Sequence, residues 1–144
     1  MYWTDWGDPA KIERASMDGS DRKILISGKD IELPNGLTID YVKRKLYWVD
    51  AKLNLIKHCN LDGSDVTELT NEGIVNPHSI SVFEDHIYWT NLGKIGRLLK
   101  ANKFTGKNRS VLIQDHHKPL DARVYHRQKQ PPGLCLRFRK TCHL

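Results

Sequence analysis

The sequence lacks most of what would mark a membrane, disulfide-knotted or catalytic chain. No apolar run approaches the roughly 18 residues that a membrane helix needs. The opening, Met1-Tyr2-Trp3-Thr4-Asp5, has no basic region and no apolar stretch of signal-peptide type, so no leader is expected in this chain. Three cysteines in 144 residues cannot all pair with one another, which excludes a dense disulfide scaffold. There is no Gly-rich phosphate loop, no nucleophile elbow and no Cys/His zinc spacing. The seven histidines are scattered, and no inward set of Asp, Glu or His repeats along the chain. No metal, no cofactor and no enzymatic activity are therefore expected. No segment carries a sustained helical period.

Charge of one sign is also missing over most of the chain. Residues 1–115 balance 16 Lys and Arg against 16 Asp and Glu, while residues 116–144 hold seven basic side chains and one acid, Asp121. The net charge of +6 thus belongs to the last fifth of the chain and not to a folded face. With no aromatics interleaved on a basic surface, a nucleic-acid partner is not expected.

What is present is a repeat. Tyr2-Trp3-Thr4-Asp5, Tyr47-Trp48-Val49-Asp50 and Tyr88-Trp89-Thr90-Asn91 recur at spacings of 45 and 41 residues. Met17-Asp18-Gly19-Ser20-Asp21 returns as Leu61-Asp62-Gly63-Ser64-Asp65, and in weaker form as Phe104-Thr105-Gly106-Lys107. A proline-led landmark, Pro34-Asn35-Gly36-Leu37, returns as Pro77-His78-Ser79-Ile80 and Pro119-Leu120-Asp121-Ala122. Three landmarks in one order and one phase define a unit. The complete unit reads as four short strands, at residues 37–41, 45–49, 55–59 and 66–69, rich in β-branched and aromatic side chains. Asp18-Gly19 and Asp62-Gly63 mark tight hairpins between its third and fourth strands. Four strands per forty-odd residues is the size of a β-propeller blade.

These residues resemble the class B (YWTD) repeat of the low-density lipoprotein receptor family. The likeness rests on the Tyr-Trp-Thr-Asp core, the Ile-x-Arg that follows (Ile12-Glu13-Arg14, Ile95-Gly96-Arg97), the Asp-Gly-Ser turn and the Pro-Asn-Gly-Leu entry. The stretch from Tyr2 to Arg14 is especially similar to the receptor-related members, including the Wnt co-receptor type. The resemblance implies an all-β, partial six-bladed propeller over residues 1–126, about half a ring by comparison with the family. Its pieces would be 1–32, 33–74, 75–117 and 118–126, the last supplying one strand at 120–125. The chain is expected to be a piece of a longer ring. Residues 127–144 form a basic, Pro-containing tail expected to be poorly ordered, where the family continues into an epidermal-growth-factor-like module. Only Cys135 and Cys142 follow there; whether they pair is left open. Cys59 is expected to be a small buried apolar residue.

The resemblance also implies roles. Tyr2, Trp3, Tyr47, Trp48, Tyr88 and Trp89 would pack between blades. Asp5 would bond locally or face Arg14; Asp50 and Asn91 occupy the same place in later repeats, and Arg97 repeats the basic position. In receptor-related members one rim binds protein ligands. The matching loop residues are Trp6, Asp8, Asn35, Lys52, Asn54, His78 and Asn91, with the plainer reading that Trp6 packs on the next blade and Asn35 shapes a turn. Acid release of cargo in the family makes His58 and His78 candidates for pH sensing, against the plainer reading of solvated loop histidines. The Asp-Gly-Ser-Asp stretches are read as turns and not as calcium loops. Asn108-Arg109-Ser110 is a glycosylation triplet in a predicted hairpin turn. The implied function is non-enzymatic recognition of extracellular protein ligands by a cell-surface receptor, in endocytosis or Wnt-type signalling, with membrane attachment only through the rest of that receptor. The alternative is a nidogen-like matrix adhesion module. Open blade flanks raise self-association as a further expectation.

Overall fold

The computed structural model describes residues 1–115 and 117–126. Strands β1 (Tyr2–Asp5), β2 (Lys11–Arg14) and β3 (Lys23–Ser27) form a three-stranded antiparallel sheet, followed by a single 3-10 turn at Gly28–Asp30. Strands β4 (Pro34–Asp40), β5 (Lys45–Asp50), β6 (Leu55–Asn60) and β7 (Thr67–Thr70) form a second sheet. Strands β8 (Pro77–Phe83), β9 (His86–Asn91), β10 (Gly96–Asn102) and β11 (Ser110–Asp115) form a third. Each sheet keeps its strands in chain order, so each is a meander. Edge strands β1, β4 and β8 lie side by side and draw the three sheets into a stack. The all-β expectation holds. Among the described residues no helix is long and apolar enough to cross a membrane.

The stack is held by two apolar seams, and β5 shows how the sequence makes both. Its side chains alternate, and both faces are covered, so the strand reads as a nearly continuous apolar run. Leu46 and Trp48 join Ile12, Ile26 and Ile31 of the first repeat and Cys59 in one cluster. Tyr47 and Val49 join Ile56, Ile80, Ile87, Trp89 and Leu99 in the other. Trp48 and Trp89 are both 0% exposed. Burial of each indole removes enough apolar surface to contribute about 2–3 kcal/mol. Trp48 and Trp89 lean on the sheet before them, and Tyr2 and Tyr47 reach the sheet after them. The Tyr2 hydroxyl donates to the Leu61 carbonyl at 3.1 Å, and the Tyr47 hydroxyl to the Lys103 carbonyl at 3.4 Å. Tyr88 is half-buried beside His86, and Trp3 is half-buried beneath the Arg22 guanidinium.

The outer hairpins lock the same seams. Gly63 and Gly106 sit at positive φ against the outer strand of the preceding sheet. A Cβ there would lie 2.9 Å from the Leu25 carbonyl oxygen and 2.7 Å from that of Leu69, so neither position accepts a side chain. Asp18 and Asp62 close the Gly19 and Gly63 turns by accepting from the Ser20 and Ser64 N–H groups, both at 3.0 Å. Those carboxylates titrate below the ordinary range, chiefly because the Ser20 and Ser64 hydroxyls also donate to them.

Two expectations need correction. Residues 120–125 do not form a strand. They run along the start of β8, where the Ala122 N–H donates to Ser79 Oγ at 3.1 Å, but no described segment ladders onto their other side. The basic position of the repeat also shifts. Register places Asp5 opposite Lys11 and Tyr2 opposite Arg14, so Asp5 pairs with Lys11 at 3.5 Å and Arg14 lies at the far end of its strand. Arg97 stands opposite Asn91, in the place of Lys11, while Lys100 takes the place of Arg14. Cys59 is fully buried with a free thiol, which burial pushes up to about 11. The tail 127–144 with Cys135 and Cys142 lies outside the described residues.

Candidate ligand-binding groove

The second strand of each repeat ends on an acid or its amide, and the structure explains why. The Asp50 carboxylate is completely buried. It accepts from the Glu32 and Leu33 N–H groups of the incoming loop at 2.8 and 3.1 Å, and from Lys52 and Leu53 of its own loop at 3.0 Å each. Asn91 does the matching work with an amide. Its Nδ2 donates to the Gly73 carbonyl at 3.0 Å and its Oδ1 accepts from Trp89 Nε1 at 3.1 Å. Asp5 accepts from the Gly7 N–H at 2.8 Å, which with Lys11 holds its carboxyl below the ordinary range. Local bonding is thus the common role of these three residues. Asn91 is spent on it and is not a free loop contact.

The inner-strand entries behave differently, because they bridge repeats. Asn35 Nδ2 donates to the Pro77 carbonyl at 2.8 Å. One repeat later His78 Nδ1 lies 2.8 Å from the Leu120 carbonyl. A carbonyl only accepts, so Nδ1 carries the proton in this contact. Thr4 Oγ1 donates to the Asn35 carbonyl at 3.0 Å, and Trp6 Nε1 to the Pro34 carbonyl at 2.6 Å. Asn35 shapes more than a turn, and Trp6 is tethered to the next sheet while its indole stays 62% exposed.

Between these entries runs an open groove of about 600 Å³. Trp6, Asn35 and His78 line it, together with Asp5, Ser79, Asp121 and Arg123. The Oδ1 of Asn35 is buried and has no hydrogen-bond partner. At the far end Asp121 accepts from Arg123 Nε at 2.8 Å. Burial pushes that carboxyl up, but the guanidinium and the Ala122 N–H outweigh it and leave it below the ordinary range. The groove therefore offers an exposed indole, an imidazole and a carboxylate–guanidinium pair. This surface is suited to a polypeptide segment. Among the described residues no cluster of His, Cys, Asp or Glu could hold a metal.

The other loop candidates lie elsewhere. Asp8 lines a second, smaller groove with Gly28, Ile31 and Glu32. Asn54 Oδ1 accepts from the Asn76 N–H at 2.7 Å. Lys52 is exposed in the turn that Asp50 organises. His58 is half-buried opposite Tyr47 at a ring distance of 5.3 Å, and burial lowers its pKa. It is remote from the groove in sequence position and faces a seam. Asp121 and Arg123 were not among the candidates read from sequence. The signal was there, since Asp121 holds in the third proline-led landmark the place of Gly36 and Ser79.

Comparison with known proteins agrees with this arrangement. Residues 1–41 match the family described as low-density lipoprotein receptor repeat class B. A vitellogenin receptor of Solenopsis invicta is 40% identical over 131 residues, which cover 91% of this chain and 7% of that protein. The vitellogenin receptor Yl of Drosophila melanogaster is 36% identical over 131 residues, covering 91% of this chain and 6% of that protein. The chain thus spans well under a tenth of the length of the curated relatives it matches. Among solved structures, a chain of the nidogen–laminin complex superposes with a TM-score of 0.72 at 31% identity, over 79% of this chain and 43% of that one. The three stacked sheets are blades of a partial β-propeller of that kind.

Proposed function

This chain belongs to the low-density lipoprotein receptor class B repeat family, and on that premise we propose that it is a ligand-binding propeller portion of a cell-surface receptor. It recognises extracellular protein ligands without catalysis. The groove at the inner-strand entries is the recognition surface, with Trp6 as the apolar anchor and Asn35, His78 and Asp121 as polar contacts. Rigid blades fix these side chains before a ligand arrives, which lowers the ordering cost of binding. The observation that carries the reading is the convergence of Trp6, Asn35 and His78, one from each blade, on one open groove. Both named relatives are vitellogenin receptors, which favours uptake of a large extracellular protein over Wnt-type signalling. Membrane attachment belongs to other parts of the parent receptor.

The likeness to a chain of the nidogen–laminin complex supports a second reading, a matrix adhesion module with the same groove. One experiment separates the two. The purified chain is immobilised and exposed to vitellogenin and, separately, to laminin, with Trp6→Ala and Asp121→Ala as variants. Vitellogenin binding that both variants weaken supports the receptor reading. Laminin binding alone moves the assignment to adhesion. Binding that neither variant alters removes the groove from the account.

A further inference from the structure

The three outer hairpins share one left-handed step and differ in what the side chain at that step meets. Asp21, Asp65 and Asn108 occupy the same step, with φ of 54°, 56° and 57°. Asp and Asn tolerate this left-handed conformation better than other side chains. In the first two hairpins the side chain is occupied. Asp21 Oδ2 accepts from Ser16 Oγ at 3.5 Å, and Asp65 Oδ2 from Asn60 Nδ2 at 2.6 Å. In the third, Asn102 stands where Ser16 and Asn60 stand, but its Oδ1 turns to the Phe104 and Thr105 N–H groups at 2.9 and 3.1 Å. Asn108 is left exposed, and its amide makes no hydrogen bond to the described residues.

The rest of the triplet has its own peculiarity. Arg109 anchors the hairpin to the Glu72 carbonyl of the second blade. Ser110 opens β11, and its Oγ is buried without a partner. A buried hydroxyl with no partner is a cost that the fold does not recover. Packing therefore gives no reason for a hydroxyl here, whereas the Asn-x-Ser acceptor chemistry does.

We propose that Asn108 is an N-glycosylation site, on the outer hairpin of the third blade and clear of the groove. The proposal rests on the extracellular reading above. In the transfer, Asn108 Nδ2 forms a bond to C1 of an oligosaccharide carried on a lipid diphosphate. The C1–O bond breaks, the diphosphate leaves with its electron pair, and Nδ2 gives up one proton. Because the folded hairpin buries the Ser110 hydroxyl, the triplet is read before β11 closes onto β10. The groove lies over the inner edges β4 and β8, and the hairpin joins the two outermost strands, so the glycan leaves the groove open.

The test is secretion of the full chain behind a supplied leader from a eukaryotic cell, followed by amidase deglycosylation and mass measurement. The wild-type protein is expected to lose one glycan, with Asn108 converted to Asp. Asn108→Asp, which keeps the hairpin chemistry of Asp21 and Asp65, should be secreted without the glycan. Ser110→Ala should lose it and Ser110→Thr should keep it. A positive control is Asp65→Asn, which completes an Asn-x-Thr triplet with Val66 and Thr67. Secreted wild-type protein with no glycan overturns the proposal, whatever the control shows. Asn108→Asp should leave vitellogenin binding unchanged within twofold, and a larger loss overturns the placement clear of the groove. Failure of the receptor reading registers separately, in the Trp6 and Asp121 binding series.

Discussion

Lys103 Nζ and the Asp40 carboxylate meet at 2.6 Å across the seam between the second and third blades, with both side chains only 5% exposed. The two residues stand 63 positions apart in the chain. Breaking such a pair strands one charge in the interior. Asp40→Asn and Lys103→Met should each lower unfolding stability by about 3 kcal/mol. The double variant should cost less than the sum of the singles, and a denaturant double-mutant cycle measures the difference.

The same contact predicts an acid limit. Burial pushes the Asp40 carboxyl up, but the Lys103 ammonium and the Lys43 and Val42 N–H groups outweigh it and hold it below its ordinary value of 3.8. The unfolded chain therefore binds this proton at higher pH than the folded one. The contribution is intact above the ordinary value and is lost as pH falls through the depressed folded value. Urea midpoints recorded between about pH 6 and pH 2 should fall most steeply below about pH 4, and the fall should be shallower in Asp40→Asn. An unchanged slope in that variant would remove Asp40 as its source.

The seam aromatics give the largest single effects. Trp48→Ala and Trp89→Ala should each cost about 3–5 kcal/mol, the range for emptying a buried aromatic site. Trp3→Ala should cost clearly less, because Trp3 is only half-buried. Guanidinium unfolding followed by circular dichroism ranks the three. Equal losses would contradict the seam assignment.

Asp50 and Asn91 hold equivalent places but are not interchangeable. Asp50→Asn turns amide protons towards N–H donors, and Asn91→Asp sets a carboxylate against the Gly73 carbonyl. Each change makes one repeat look more like another, yet each should cost about 2 kcal/mol. Thermal unfolding measures both, and a neutral result for either would mean that its loop rearranges.

Most of the blade architecture was legible because it is periodic and local. The alternation of Leu46, Tyr47, Trp48 and Val49 gives both seams, and Asp-Gly pairs mark the hairpins. What was not legible depends on register and on distance. Of the two roles the motif suggests for Asp5, the local bond holds and the pairing with Arg14 does not. Counting outward from the loop after Asp5 would have set it against Lys11, since antiparallel strands pair from the turn inward. The Lys103–Asp40 pair joins a hairpin of one blade to a turn of another, and nothing local in either segment announces the other. A strand over 120–125 follows from carrying the blade repeat into a fourth piece, but a strand exists only where a neighbour completes its ladder. The groove was half legible. Trp6, Asn35 and His78 followed from the loops, while Asp121 and Arg123 required the repeat to be carried into its third copy.

Trp6 separates stability from recognition. Its indole is largely exposed and makes one side-chain hydrogen bond. Trp6→Ala should change unfolding stability by no more than about 1 kcal/mol. If the groove is the recognition surface, it should weaken vitellogenin binding by about tenfold or more. Loss of both together would show that Trp6 serves the fold first.

The outward face of the first blade predicts self-association. Register aligns Trp3, Glu13 and Ile24 across that sheet, and Ile24 is 58% exposed. Sedimentation of the isolated chain should show concentration-dependent association that Ile24→Lys reduces. A monomer at all concentrations would show that this flank is adequately solvated.

One consequence follows from the groove drawing its walls from three successive blades. Occupancy of the site and stacking of the sheets are a single linked equilibrium. A ligand that binds only the stacked form at a hundred times its dissociation constant adds about 2.7 kcal/mol to the whole assembly. On the proposed reading a ligand in the groove would act as a clamp on the stacked blades, and amide exchange at Trp48 and Trp89, far from the bound molecule, would slow along with exchange at its edges.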